Sequence, residues 1–162
     1  MSRHQYLNDI IWRSLLKAGV PAVKEPSELT RTDGKRPDGL TQIPWEAGKY
    51  ATWDVTVIDT LASINIQYSF AKAGAAAERA ADRKSAKYTE LAAAHTFIPV
   101  AIDTLEPINS CGAEFIKRLG LRIRALTVDA RESSFLWQRL SNSLQRFNAA
   151  YLLGTFETSR DT

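Results

Sequence analysis

The sequence predicts an α/β fold in which a mixed β-sheet is flanked by helices. Segments with helical periodicity and segments rich in β-branched residues follow one another in the order α-β-β-β-α-β-α-α. The 162 residues are 44% hydrophobic and 24% charged, which is typical of a globular chain with a sizeable core. Because no repeat or low-complexity linker divides the chain, we expect a single domain over residues 1–162.

The chain begins with a predicted helix and a short strand. Residues 3–18 carry apolar side chains at the i, i+3, i+4 spacing of an amphipathic helix, and Gly19 is a natural stop. Residues 20–25 are short, contain β-branched side chains and are bracketed by prolines, which favours a strand at an edge of the sheet.

Two further strands follow the polar loop 26–36. Residues 37–43 form the second strand candidate, and the Pro-Trp-Glu-Ala-Gly-Lys segment at 44–49 reads as a turn. Residues 50–59, Tyr-Ala-Thr-Trp-Asp-Val-Thr-Val-Ile-Asp, form the strongest strand candidate of the chain.

The second half is mostly helical. The alanine-rich segment 71–94 predicts a long helix, and 97–102 predicts a buried fourth strand. Apolar stripes over 110–126 and 131–153 predict two closing helices.

Composition narrows the classes of function. A net charge of +3 permits a polyanionic partner without requiring one. The single cysteine, Cys111, excludes an intramolecular disulfide and a cysteine-based zinc site, and favours a reducing, intracellular compartment. The longest stretches without a charged residue, 60–71 and 91–102, are shorter than the about 20 apolar residues of a membrane span, so no membrane partner is expected.

Three carboxylates lie on or beside the predicted strands: Glu25, Asp38 and Asp54. A hairpin centred near residue 46 or 47 places Asp38 opposite Asp54 or one position away. Opposed Cβ atoms are about 4.5–5.5 Å apart, so two such charges repel unless a cation lies between them. Oxygen ligands of this kind suit Mg²⁺ or Mn²⁺. Folding back of the loop brings Glu25 near Asp38, and we expect it to complete or tune the metal site.

Basic residues follow the strand of Asp54. Lys84, Lys87 and Tyr88 share one face of the long helix, and this face is expected to pack beside the strand. A lysine there would orient a water or neutralise charge on a phosphate. Three more cations are candidate nucleic-acid-binding residues, with an ordinary solvated surface as the alternative: Lys35, Arg36 and Arg83.

Taken together, these motifs resemble the restriction-endonuclease-like PD-(D/E)XK superfamily, whose signature is Pro-Asp, a spacer, then acid-any-lysine. The resemblance is closer to the endonuclease domain of site-specific non-LTR retrotransposons. The segments that carry it are Lys-Glu-Pro at 24–26, Gly-Lys-Arg-Pro-Asp-Gly at 34–39, Trp-Asp-Val-Thr-Val at 53–57 and Lys-Ser-Ala-Lys-Tyr at 84–88. It covers a core of about 3–108 and leaves about 109–155 as a helical extension.

The sequence departs from the superfamily signature at Thr56, where the strand lysine is expected. In the retrotransposon branch the lysine comes from the following helix within Lys-x-x-Lys-Tyr, and the spacing of Lys84, Lys87 and Tyr88 matches that stretch. The resemblance therefore implies catalytic roles for these three residues and leaves open which lysine acts.

The resemblance implies a Mg²⁺- or Mn²⁺-dependent endonuclease that nicks double-stranded DNA in the nucleus, with a reverse transcriptase in a parent polypeptide. Whether the chain is an excised domain or a stand-alone relative, and whether it forms a homodimer, stay open. Two alternatives also stay open. One is a nuclease-like module that binds nucleic acid without cutting, which Thr56 favours. The other is a protein-interaction domain built on the last two helices.

Overall fold

The structure, a computed structural model, describes residues 2–59 and 70–160. It confirms the predicted α/β class, with four α-helices and a four-stranded sheet in the described part. Most of the uncharged stretch 60–71 lies outside the described residues. Within them, no helix has the length and apolar character needed to cross a membrane. The elements in chain order are α1 (Arg3–Lys17), β1 (Ala22–Lys24), β2 (Gly39–Glu46), β3 (Lys49–Ile58), α2 (Phe70–Lys87), β4 (His95–Asp103), α3 (Ser110–Thr127) and α4 (Glu132–Arg160).

The sheet is mixed and has the strand order β1-β2-β3-β4. The first three strands form an antiparallel meander, whereas β3 and β4 are parallel. A parallel pair needs a crossover connection, and α2 lies in that connection.

The predicted turn over 44–49 is wrong in its bounds. Strand β2 continues to Glu46 and β3 begins at Lys49, so the turn consists of Ala47 and Gly48. Both have positive φ, 49° and 72°, as a tight two-residue hairpin with the twist of the strands requires. Pro44 stays within β2 because the pairing of β2 and β3 is irregular on either side of it.

The register at the far end of this hairpin agrees with the sequence prediction. Gly39 pairs with Trp53, and the Asp38 amide donates to the Trp53 carbonyl oxygen at 2.9 Å. The residues one step further out, Asp38 and Asp54, therefore face each other across the two strands.

Helix α2 ends earlier than predicted. The residues after Lys87 form a short 3₁₀-helix over Thr89–Ala93, and β4 begins at His95. The ring of Tyr88 packs on Phe97 of β4 with 5.1 Å between ring centroids. This contact holds the chain where it leaves the helix for the strand, which explains why helical periodicity alone overestimates the helix.

The two faces of the sheet differ. Helices α1, α3 and α4 cover one face with a large apolar core, to which the last two helices contribute Phe115, Ile116, Leu119, Leu136 and Leu140. Helix α2 covers the other face with a small cluster of Ala77, Ala80 and Ala81 against Ala101. The predicted C-terminal extension is therefore part of the main core.

Candidate active site

Asp38 lies immediately before β2 and is held by contacts from two other elements. Its carboxylate oxygen Oδ2 accepts a hydrogen bond from the Val55 amide at 2.6 Å, and His4 Nε2 lies 2.9 Å from the same oxygen. The residue is 7% exposed. Because a backbone amide and a helix side chain both contact it, the carboxylate has one defined orientation.

The backbone around Asp38 is fixed by a buried polar pair. The Trp53 indole Nε1 donates to Asn8 Oδ1 at 2.7 Å, and Asn8 Nδ2 donates to the Asp38 carbonyl oxygen at 3.3 Å. Gly39 makes room for this arrangement, because a Cβ at that position would clash with the Trp53 ring. The Asp-Gly pair at 38–39 therefore joins the site to the main core.

Asp54 lies on β3 and faces α2. Its Oδ2 is 2.8 Å from Lys84 Nζ, and the residue is 3% exposed. Burial, and next the charge of Asp38, raise the pKa of Asp54 to about 6, while Lys84 acts in the opposite direction. One of the two lysines that the sequence prediction left as candidates thus contacts Asp54.

His4 is the residue of this site that the sequence prediction left out. It stands in the first turn of α1, and its contact with Asp38 is the largest cause of its raised pKa. Burial lowers that pKa, and the charge of Asp54 raises it. A histidine at the start of a helix carries little signal on its own, because it reaches the carboxylate only where α1 packs against β1 and β3.

Tyr88 and Lys87 lie at the end of α2 beside the acid pair. Tyr88 is 2% exposed, and burial followed by the charges of Asp54 and Asp38 raises its pKa to about 12. Lys87 Nζ is 5.1 Å from the Tyr88 ring centroid. Burial, followed by the charge of Lys84, lowers the pKa of Lys87. Of the two candidate lysines, Lys84 is the one in an ion pair with Asp54.

Glu25 comes near the site with its backbone but not with its carboxylate. Its amide donates to the Asp38 carbonyl oxygen at 2.9 Å, which agrees with the predicted folding back of the loop. Its φ is 51°, and its side chain is 64% exposed and lies 3.7 Å from Arg36. The structure therefore does not bring the Glu25 carboxylate together with Asp38 and Asp54.

Three predicted cations and Thr56 remain. Lys35 and Arg83 are exposed, and Arg36 pairs with Glu25. Thr56 shares the face of Asp54, as the alternation along β3 predicts, and its Oγ1 is buried without a hydrogen-bond partner among the described residues.

The donor set of the site fits a hard divalent cation. Mg²⁺ is commonly held by one or two carboxylates, together with waters and substrate phosphates. Asp38 and Asp54 provide two such carboxylates, and after burial their mutual repulsion is the next largest cause of the raised pKa of Asp54. In the part of the chain that the structure describes, no group of three or more His, Cys, Asp or Glu side chains is arranged to hold a metal ion. Two carboxylates are therefore the ligands that the protein itself offers here.

Comparison with known proteins assigns no family. No protein-family model matches the chain, and a search of the curated proteins finds no match. The arguments for function therefore come from the residues and their geometry.

Proposed function

We propose that this protein is a Mg²⁺- or Mn²⁺-dependent endonuclease that hydrolyses phosphodiester bonds of double-stranded DNA and derives from the target-nicking domain of a retrotransposon. The observation that carries the proposal is the 2.8 Å contact between Lys84 Nζ and Asp54 Oδ2. An acid pair can hold the metal ion, and an adjacent lysine can stabilise charge on a phosphate, which together suit metal-dependent phosphodiester hydrolysis. The lysine comes from the helix where the strand position holds Thr56.

The architecture supports the finer fold assignment. The order α1-β1-β2-β3-α2-β4 matches the restriction-endonuclease-like core, and the acids lie at the start of β2 and within β3. In such a fold the last two helices are an addition, and here they pack on the face of the sheet opposite Asp54.

Asp38 and Asp54 would hold the metal ion. A bound Mg²⁺ or Mn²⁺ supplies Lewis-acid stabilisation of charge on the phosphate and lowers the pKa of water. Asp54, with its pKa raised to about 6, is ionised at neutral pH and is available as a ligand.

The surrounding residues orient these two acids and the substrate. His4 and the Val55 amide hold the Asp38 carboxylate in place. Lys84 stabilises the ionised form of Asp54 and places a positive charge where a phosphate oxygen approaches. Tyr88, with its pKa raised to about 12, stays protonated, so its hydroxyl is able to donate a hydrogen bond.

The proposal is tested by nicking of supercoiled plasmid in the presence of Mg²⁺ or Mn²⁺, with EDTA as the metal-free control. We expect the wild-type protein to convert supercoiled into open-circular DNA only with metal. Asp54→Ala and Lys84→Ala should each lower the rate by at least about 10²-fold. Lys117→Ala is the matched control, because Lys117 is exposed on α3, which packs on the face of the sheet away from Asp54.

Each outcome has a defined meaning. Nicking that persists in Asp54→Ala, or in EDTA, excludes the proposed site as its source. A wild-type protein that never nicks DNA excludes the endonuclease.

A second candidate is a nuclease-like module that binds nucleic acid without cutting it. The feature that favours it is the same ion pair, because Lys84 already balances the charge of Asp54 without a metal ion. The Glu25 carboxylate is exposed and paired with Arg36, so it does not act as a third ligand in this arrangement. DNA binding by the wild-type protein, unchanged by Mg²⁺ and without nicking, would establish this alternative.

A further inference from the structure

A loop arginine outside the predicted site lies against Tyr88. The Cζ of Arg31 is 5.6 Å from the centroid of the Tyr88 ring, and Lys87 Nζ is 5.1 Å from the same centroid. The ring therefore has two cations beside it, one from the loop before β2 and one from the end of α2. The sequence gives no reason to single out Arg31, because it lies in a polar loop without a motif.

A closed turn fixes the position of this arginine. The Arg31 amide donates to the Lys35 carbonyl oxygen at 2.7 Å, and the Gly34 amide donates to the Arg31 carbonyl oxygen at 3.0 Å. Gly34 has a φ of 80°, which its lack of a side chain permits. The turn therefore brings Lys35 next to Arg31 and holds the loop beside the helix end.

Arg31 has hydrogen-bonding capacity that the protein does not use. Its Nη1 is inaccessible to solvent and has no hydrogen-bond partner among the described residues. Its Nη2 lies 3.5 Å from Asp33, a long ion pair. The side chain is 33% exposed, and a guanidinium donates to phosphate oxygens through N–H groups in one plane, so a phosphate would bind at its exposed edge rather than at the buried Nη1.

Positive charge is in excess around the ring. The pKa of Lys87 is lowered first by burial and then by the charges of Lys84 and Lys35, with a further contribution from Arg31. Asp54 opposes these effects, and the exposed carboxylate of Asp33 also lies among Arg31, Lys35 and Lys87, so four cations face two carboxylates. Cations held this close repel one another, and a bound phosphate would relieve that repulsion.

We propose that Arg31, Lys35 and Lys87 form a subsite that binds a backbone phosphate of the DNA strand next to the one at Asp54 and Lys84. The inference takes its ligand class from the proposed function and adds to it a DNA-positioning role for Arg31. A DNA strand bound at this subsite would run from the loop before β2, past the edge of the Tyr88 ring, to Asp38 and Asp54.

The test measures DNA binding without metal, so that it does not depend on cleavage. Fluorescence anisotropy of a short labelled duplex is followed in EDTA between about 50 and 200 mM salt. Arg31→Ala should weaken binding about tenfold and reduce the slope of log Kd against log salt by about one. Arg31→Lys, which keeps the charge and loses the planar donor pair, should weaken binding by an intermediate factor. Arg124→Ala on the exposed surface of α3 is the matched control and should bind like the wild type.

The results separate this inference from the proposed function. If the wild type nicks plasmid while Arg31→Ala binds the duplex as tightly as Arg124→Ala, the subsite is wrong and the nuclease stands. If binding depends on Arg31 and nothing is nicked, the subsite stands and the nuclease is wrong. Lys35→Ala is a second variant at an exposed position, for the case that a thermal melt shows Arg31→Ala to be unfolded. Unchanged binding and salt slope in Lys35→Ala would then overturn the subsite.

Discussion

The two faces of the sheet are built from different kinds of side chain. Trp53 and Val55 of β3 point into a core of leucine, isoleucine and phenylalanine from α1, α3 and α4. The alternate residues of the same strand point to α2, where the partners are alanines. Among these alternate residues, Thr52, Asp54 and Thr56 are polar, and Ile58 packs against the alanine cluster. One strand thus serves a packed core on one side and a polar site on the other.

The difference shows how a buried acid is accommodated. Alanines allow α2 to lie close to the sheet, so the side chain of Lys84 reaches Asp54 from the last turn of the helix. The raised pKa of Asp54 means that the folded protein holds its ionised form at a cost. The apolar face offsets that cost, and the comparison predicts that stability and activity can be changed separately.

The largest expected effect is at Asp54, where a single substitution should change activity and stability in opposite directions. Asp54→Asn should lower nicking by about 10³-fold and should raise stability at pH 8 by on the order of 1–3 kcal/mol. The pKa of this carboxyl is 3.8 ordinarily and about 6 in the folded protein. Its destabilising contribution is therefore absent below the lower value and complete above the higher one. Thermal melts of both proteins at pH 4 and pH 8 measure it, and an unchanged or lower Tm of the variant at pH 8 would contradict the argument.

On the apolar face we expect a substitution to lower stability while leaving activity nearly unchanged. Leu119 is fully buried, so Leu119→Ala should lower the free energy of unfolding by about 2–5 kcal/mol in urea denaturation. Nicking per folded molecule should stay within about twofold of the wild type, because Leu119 lies on the face away from Asp54. Leu121→Ala, on the same helix and 47% exposed, is the control and should change stability by less than about 0.5 kcal/mol. Loss of nicking in a folded Leu119→Ala protein would show that the faces are coupled.

The features of the two faces that could be predicted from the sequence depend on local patterns of residues. The period-two alternation of β3 places Asp54 and Thr56 on the face of the sheet away from Trp53. The spacing of Lys84 and Tyr88 places both residues near the C-terminal end of α2. Both follow from the geometry of a single element. The position of Asp38 across from Asp54 also follows from the sequence, because once the centre of a hairpin is known, the residues that face each other are found by counting outward from it.

What the sequence did not predict depends on contacts between elements or on a single dihedral angle. His4 reaches Asp38 only because α1 packs against β1 and β3. Glu25 has the expected backbone position, but its φ of 51° directs the carboxylate to solvent and Arg36. Arg31 lies beside Tyr88 because of a turn closed by hydrogen bonds. Neither periodicity nor residue spacing contains such information.

A smaller effect tests the electrostatic link between α2 and β3. Lys84 lowers the pKa of Asp54, so Lys84→Ala should raise it further above about 6. The pKa of Asp54 in the metal-free protein, followed in EDTA by the carboxyl chemical shift in an NMR titration, should then move to higher pH. Lys87→Ala is the comparison, because Lys87 makes no ion pair with Asp54 among the described contacts and should shift this pKa less. Equal shifts in the two variants would remove the distinction between the lysines.

The smallest expected effect concerns His4, whose ring contacts the carboxylate of Asp38. His4→Ala should lower nicking by about tenfold, whereas His4→Gln, which keeps an N–H donor, should lose about threefold. The pKa of His4 is raised mainly by its contact with Asp38, so the contact stabilises the fold below the ordinary value of 6.5 and is lost as pH rises through the folded pKa. The wild type should therefore lose stability relative to His4→Ala as pH rises from about 6 to 8, which urea denaturation at each pH measures. Equal nicking rates in His4→Ala and His4→Gln, with no change in this pH dependence, would mean that the Val55 amide alone positions Asp38.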